Sequence, residues 1–359
     1  MPLPFLLGGA AAVAGIAGLV KGGQAISNNA KAKELIEDVE YKYNQAKSRM
    51  ENQRNATTFE LETLGKLKLT SWSEDIGTFV KLFREFKKVE LTSKIHTDAL
   101  LKGNIQTVGE LKQMQVAAIK ATEVMRAGIG SLGAGALAGV ASYGGAMMFA
   151  SASTGTAIAT LSGAAATNAT LAWFGGGSLA AGGFGMAGGS LVLGGIVAGP
   201  ALAVAGFIMA AKAEENVAEA KKVSAQAKHA IEQMNTITSF MESVEEIAHA
   251  YETFISSFRM QYMPILEVIE QIKNVAKEQQ SKLFSNKIRK LFRIKIKVDF
   301  TLLTEQEQQV LHIGWLMTQV LHSVLSAPLL TKEGKIDQHA LPLLESAQES
   351  ATKMIELGA

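Results

Sequence analysis

The chain of 359 residues contains no cysteine. That excludes a disulfide framework, a thiol nucleophile and a thiolate zinc site, and it fits a reducing compartment. Proline is scarce, six in all, as suits long uninterrupted helices. A formal net charge of only +2 excludes a protein that reads phosphates over a broad basic surface, so nucleic acid is not an expected partner. The most telling absence is local. Residues 127–211, 85 in number between Arg126 and Lys212, include no Asp, Glu, Lys, Arg or His.

A hydrocarbon core about 30 Å thick takes about 20 apolar residues per helix. The uncharged centre holds two good candidates, residues 127–150 and 190–211. Between them residues 156–174 are half apolar, with Thr156, Thr160, Ser162, Thr167, Asn168 and Thr170 interrupting. That piece reads as a third helix, a re-entrant segment or the lining of a wet cavity. Gly135 and Gly139, Gly185 and Gly189, and Gly195 and Gly199 form three pairs at four-residue spacing. Small residues so placed let helix backbones approach closely in lipid, and these six are the candidate packing positions. Residues 3–20 are apolar as well, with Gly8, Gly15 and Gly18 on a thin face. No basic stretch precedes them, so a cleaved secretory signal is not expected.

The flanks carry helical patterns. Ile36, Val39, Tyr43, Ala46 and Met50 alternate by three and four, and Ser27 or Asn28 is placed to cap that helix. Leu61, Leu64, Leu67 and Leu69 continue the face, with a break expected at Gly65. Ser71 or Ser73 is placed to start the next helix, and Trp72, Ile76, Phe79, Phe83 and Phe86 line its inner side. After Ala213 the pattern is clearest. Met234, Met241, Ala248, Ile255, Tyr262, Ile269 and Ala276 recur every seven residues, and Ile237, Val244, Tyr251, Phe258, Ile265 and Ile272 fill alternate sites. Such a repeat specifies a seam packed against other helices, and Pro264 within it predicts a kink.

Residues 282–298 mix basic and apolar side chains. As a helix they bring Lys287, Arg289, Lys290 and Arg293 to anionic lipid heads. The last six, from Arg293 to Val298, alternate and read equally as a strand. Thr304 with Glu307 is a capping box opening a later helix that Pro328 ends, and residues 341–357 form a final short one.

Chemical motifs are few. Two GxGxxG matches begin at Gly128 and Gly183, but neither follows a strand, and no acidic residue occurs before Glu214 to take a ribose. No GxxxxGK[ST] loop occurs, which excludes a self-contained P-loop motor. Glu246 and His249 have the Glu-x-x-His spacing of di-iron bundles without a second copy. His312 and His322 flank Trp315 as edge histidines. No catalytic, cofactor-binding or metal residue is therefore assigned, and an enzyme is not expected.

The amino end, MPLPFLLGGAAAVAGIAGLVKG, and the central runs TGTAIATLSGAAATNATLAWFGGGSLAAGGFGMAGG and LVLGGIVAGPALAVAGF resemble a family of uncharacterised bacterial proteins with a glycine-rich hydrophobic centre. That resemblance implies no activity. In layout the chain is similar to helical pore-forming toxins and apolipoprotein L proteins, where an apolar hairpin lies between amphipathic helices.

The expectation is an all-α protein. Its long antiparallel coiled-coil stalk carries a Gly/Ala-rich hydrophobic helical hairpin region able to cross a membrane. The expected divisions are an apolar helix at 1–26, an amphipathic stalk at 27–126, the membrane-active centre at 127–211, a long coiled-coil helix at 212–281 and a basic tail at 282–359. The expected partners are a lipid bilayer and either further copies or a helical protein. Membrane association is expected at a bacterial inner membrane. Lys112, Lys120, Arg126 and Lys212 would hold both flanks on the cytoplasmic side, with a soluble cytoplasmic form as the alternative.

Overall fold

A computed structural model describes residues 24–89, 107–127, 134–143, 217–282, 297–331 and 334–358. These residues are mostly helical, so the all-α expectation holds. Helix α1 is Gln24–Thr70. A π-helical turn, Ser71–Ile76, joins it to α2, Gly77–Phe83, and the flanking Thr70 and Gly77 keep helical backbone. The three pieces make one rod. Strand β1 is Phe86–Lys87, α3 is Thr107–Ala127 and α4 is Ala134–Tyr143. Helix α5 spans Val217–Ser281, 65 residues, or about 98 Å if straight. Strand β2 is Val298–Asp299, a 3-10 turn follows at Phe300–Leu302, α6 is Glu305–Ser326 and α7 is Ala340–Gly358.

The rod and α5 lie along each other, and their direction corrects the sequence reading. Gln53 and Thr57 meet Glu245, Glu60 meets His249, Asp75 meets Arg259 and Glu85 meets Lys277. The numbering offset stays between 184 and 192 throughout, so the two helices are parallel, not antiparallel. A repeating apolar stripe fixes which face is buried and says nothing of direction. The 130-odd residues between Phe83 and Val217 leave the chain free to return to its starting end. Beyond the rod's end, β1 and β2 pair in parallel, Phe86 with Val298 and Lys87 with Asp299. The Gln280 amide extends this small sheet from α5. Its Nε2 donates to the Asp299 carbonyl at 3.1 Å, and its Oε1 accepts from the Asp299 N–H at 2.7 Å.

Two apolar clusters lie along the pair. In the first, Ala32, Ile36, Val39, Tyr43, Ala46 and Met50 of α1 meet Ala220, Val223, Ala227, Ala230, Met234 and Met241 of α5. Among the described residues this half, the arm, draws its core from those two helices alone. The second cluster belongs to the body. It gathers the rod from Leu61 onward, α5 from Val244 onward, and α3, α4, α6 and α7. Burying a side chain of Leu, Ile or Phe size is worth about 1.5–3 kcal/mol, so the body dominates the stability. A polar rung divides the clusters. The fully buried Thr57 donates to the Met241 carbonyl at 3.1 Å, and Gln53 donates to Glu245.

The seven-residue series is buried throughout, from Met234 at 1 % exposed to Ala276 at 4 %. The aromatic series Trp72, Ile76, Phe79, Phe83 and Phe86 is buried too. The Thr304 capping box forms as expected. His312 is buried and not at a polar edge, and three further expectations fail. The rod does not break at Gly65, where the backbone of α4 packs against it. Ser27 and Asn28 lie inside α1, because the helix already runs at Gln24. No new helix starts from a cap at Ser71 or Ser73, because the π turn carries the chain through, and its extra residue per turn points Trp72, Asp75 and Ile76 inward. Among the described residues, no helix is long and apolar enough to cross a membrane.

Candidate functional site

The site starts from a glycine. Helix α4 is the described piece of the uncharged centre, and it lies across α1 at Gly65. A Cβ at Gly65 would sit 2.7 Å from the Leu137 carbonyl carbon and closer still to its oxygen. Only a bare Cα admits the α4 backbone here. The glycine that suggested a helix break is thus the floor of a helix crossing. Its cost within α1, about 1 kcal/mol relative to alanine, is offset by the packing of Leu137, Ala138, Val140 and Ala141, all at most 8 % exposed. Gly139 is buried in this helix and Gly135 lies one turn earlier. The other four candidate packing glycines, Gly185, Gly189, Gly195 and Gly199, lie outside the described residues. So do Lys287, Arg289, Lys290 and Arg293.

One turn beyond Gly65, on the same face of α1, stands Lys68. Its side chain is fully buried. Nζ donates to the Ala141 carbonyl at 3.2 Å and to the Ala327 carbonyl at 3.0 Å. Ala141 is in the last turn of α4 and Ala327 caps α6. One amine therefore serves two helix C-termini, where carbonyls lack intrahelical partners and the helix dipole favours a cation. The Tyr251 ring lies 5.2 Å from Nζ, and the Tyr251 hydroxyl donates to the Ala340 carbonyl of α7 at 2.6 Å. The Ser142 carbonyl accepts from the N–H groups of Leu329 and Leu330 at 2.7 and 2.9 Å. Around Lys68, then, α1, α4, α5, α6 and α7 are bound together. No carboxylate is among these partners, and burial lowers the Lys68 pKa to about 7. Such an amine cements backbone ends and changes protonation near neutrality.

Further along the rod the π turn sets Asp75, also fully buried, against Arg259 of α5. Arg259 Nη2 donates to Oδ1 at 3.1 Å, Nε lies 2.6 Å from Oδ2, and Glu74 flanks the guanidinium at 3.3 Å. Burial raises the Asp75 pKa against the pull of Arg259. The pair pins the rod to α5 at one register. Behind it Trp315 stacks on Phe83, and His322 lies edge-on to Trp72 at 5.3 Å.

Histidine and carboxylates meet once among the described residues. Glu60, His249 and Glu252 hold their ligand-type atoms within 4.8 Å. His249 Nδ1 lies 3.1 Å from Glu60 and 4.0 Å from Glu252. Glu246 of the Glu-x-x-His spacing is not in the group. His249 is 71 % exposed and lies between the two carboxylates. Burial, with the Glu60 charge, raises the Glu252 pKa. The contact between the His249 ring and Glu60 links α1 to α5 here.

The sequence reading overlooked Lys68 and Asp75. Both were marked by position, since Leu61, Lys68 and Asp75 are seven apart on an otherwise apolar face. A charge on an inner stripe is the signal.

By architecture this is an all-α protein in which a parallel pair of long helices carries a body that grips the start of an uncharged glycine-rich segment. No known family, curated protein or solved structure matches the chain.

Proposed function

We propose that the protein inserts its uncharged centre into a bilayer, oligomerises there, and permeabilises or remodels the membrane. The helices before and after the centre act as its water-facing carrier. The observation that carries this reading is the docking of α4 at Gly65 and Lys68. The segment with no Asp, Glu, Lys, Arg or His is held to the body by small-residue packing and a few hydrogen bonds to helix ends. Such packing works equally against protein and against another helix in lipid. The docked arrangement is then a stored form, and undocking of α4 frees the centre. In this reading the protein is not an enzyme, and it acts at a bacterial inner membrane with its helical flanks on the cytoplasmic side.

A second reading, a membrane-anchored scaffold acting through its long helix, needs a surface other than the seam, because Ile255, Phe258 and Ile269 are already buried inside the chain. The back of α5 offers one, with Met260, Val268 and Val275 exposed.

Dye release from liposomes by the purified full-length chain, with co-flotation read from the same tubes, tests the proposal. Flotation with leakage is expected. Flotation without leakage favours the scaffold, and absence of both removes the membrane reading. Ala203→Arg should abolish insertion, since a charge at mid-bilayer costs several kcal/mol. Ala138 is unsuitable for that test because it is buried against the body.

A further inference from the structure

Because α1 and α5 run in the same direction, Gln24 and Val217 begin at the same end of the arm. Two apolar stretches of sequence are tethered there. Residues 3–20 end three residues before α1, and residues 190–211 end five before α5. Even fully extended, the longer tether spans only about 20 Å.

Charge is graded along the arm in the same sense. Residues 21–36 and 212–229 hold seven lysines against four glutamates. The next stretches inward, 37–50 and 230–243, hold three basic residues against five acidic ones. Lys33, Lys221 and Lys228 of the tip are exposed. The basic segment containing Lys287, Arg289, Lys290 and Arg293 leaves α5 at the other end, after Ser281. That is about 98 Å away along a straight helix. The two basic regions cannot both lie on one flat bilayer while the pair stands upright.

We propose that the tip of the arm is the membrane-contacting surface, and that Lys33, Lys221 and Lys228 bind anionic lipid headgroups there. The arm stands on the bilayer by its amino end, with the body held away from it. Both apolar stretches reach the bilayer at that one point. This rests on the membrane reading above and adds its orientation and lipid preference. The geometry exists only because the pair is parallel. An antiparallel pair would put the two starts at opposite ends.

The test uses the full-length chain, vesicles of phosphatidylcholine alone and vesicles with one third phosphatidylglycerol. Each lysine near an anionic surface contributes about fivefold to binding. The triple variant Lys33→Gln/Lys221→Gln/Lys228→Gln should therefore lose up to about a hundredfold in partition to anionic vesicles and change little on neutral ones. In parallel, the cysteine-free chain allows single labels at Ala225→Cys on the arm tip and Ser323→Cys on the body, both exposed positions. Energy transfer to a lipid-borne acceptor should be strong from the first and weak from the second. Equal transfer, or a loss confined to a Lys287→Gln/Arg289→Gln/Lys290→Gln variant, overturns the orientation while leaving membrane binding intact. If the wild-type chain floats with neither vesicle, the membrane reading fails first and this proposal falls with it.

Discussion

Lys68 imposes a pH dependence whose size follows from its surroundings. Burial holds its pKa at about 7, against 10.5 for an exposed lysine. Between those values the unfolded chain binds a proton that the native chain does not, so stability rises with pH. Below about pH 7 both states carry the proton and the cost of burying it is constant; above about 10.5 neither does. Each pH unit across which the two states differ by one proton is worth about 1.36 kcal/mol. Raising the pH from about 7 to about 9.5 should therefore stabilise the protein by about 3 kcal/mol. Tyr251 and Tyr262 stay protonated in the native state, because burial pushes their hydroxyls up, and they oppose the rise only at the top of this range, where unfolded tyrosines ionise at about pH 10. Lys68→Met removes the titration. It also leaves the Ala141 and Ala327 carbonyls without this donor, a loss of about 1–3 kcal/mol each. Near neutral pH that loss is offset by no longer burying an ammonium, so the two proteins should then be of similar stability. At about pH 9.5 the wild type should lead by about 3 kcal/mol more than it does at pH 7. Urea unfolding followed by fluorescence measures this, since Trp72 and Trp315 are buried in the body at 1 % and 0 % exposure. Parallel pH profiles for wild type and variant would refute the argument.

Gly65→Ala should cost more than about 3 kcal/mol, because its Cβ meets the α4 backbone, which cannot give way as a side chain can. Gly314→Ala should cost about 1 kcal/mol, since its Cβ meets the flexible Ile269 Cδ1 at 2.5 Å; thermal shifts of the two variants compared side by side decide this. Arg259→Met strands the buried Asp75 carboxylate and should lose about 3–5 kcal/mol in urea. Adding Asp75→Asn should recover most of it, and a double variant as unstable as the single one argues against the pair. Burial lowers the pKa values of His312 and His322. The native state takes up a proton on them less readily than the unfolded chain, so their contribution is complete above about pH 6.5 and is lost as pH falls below that value. The double variant His312→Leu/His322→Phe should flatten the acid limb of the stability profile, and an unchanged limb assigns it to other groups.

The burial pattern of this fold was written in the residue order. Met234, Met241 and Ile255 of the seven-residue series are buried, because periodicity alone selects the face a helix hides. The Thr304–Glu307 capping box was equally legible, since its hydrogen bonds span three residues. Gly65 was misread because a glycine has two opposite uses. It weakens a helix by its backbone freedom, and it admits a second backbone where a helix crosses. Only the presence of α4 above it selects the second. Lys68 and Asp75 stood visibly out of place on an apolar stripe, yet their partners come from 73 to 259 residues away.

The sequence by itself determined that this is a helical protein, which faces it buries, and that an 85-residue segment carries no Asp, Glu, Lys, Arg or His. Those properties follow from local geometry and side-chain chemistry. Only the tertiary structure decided that the long helices run parallel, and that Lys68 closes the ends of α4 and α6. An apolar stripe gains the same burial in either direction. The choice is made by specific long-range pairs, Glu60 with His249 and Asp75 with Arg259, that form in one direction and not in the other.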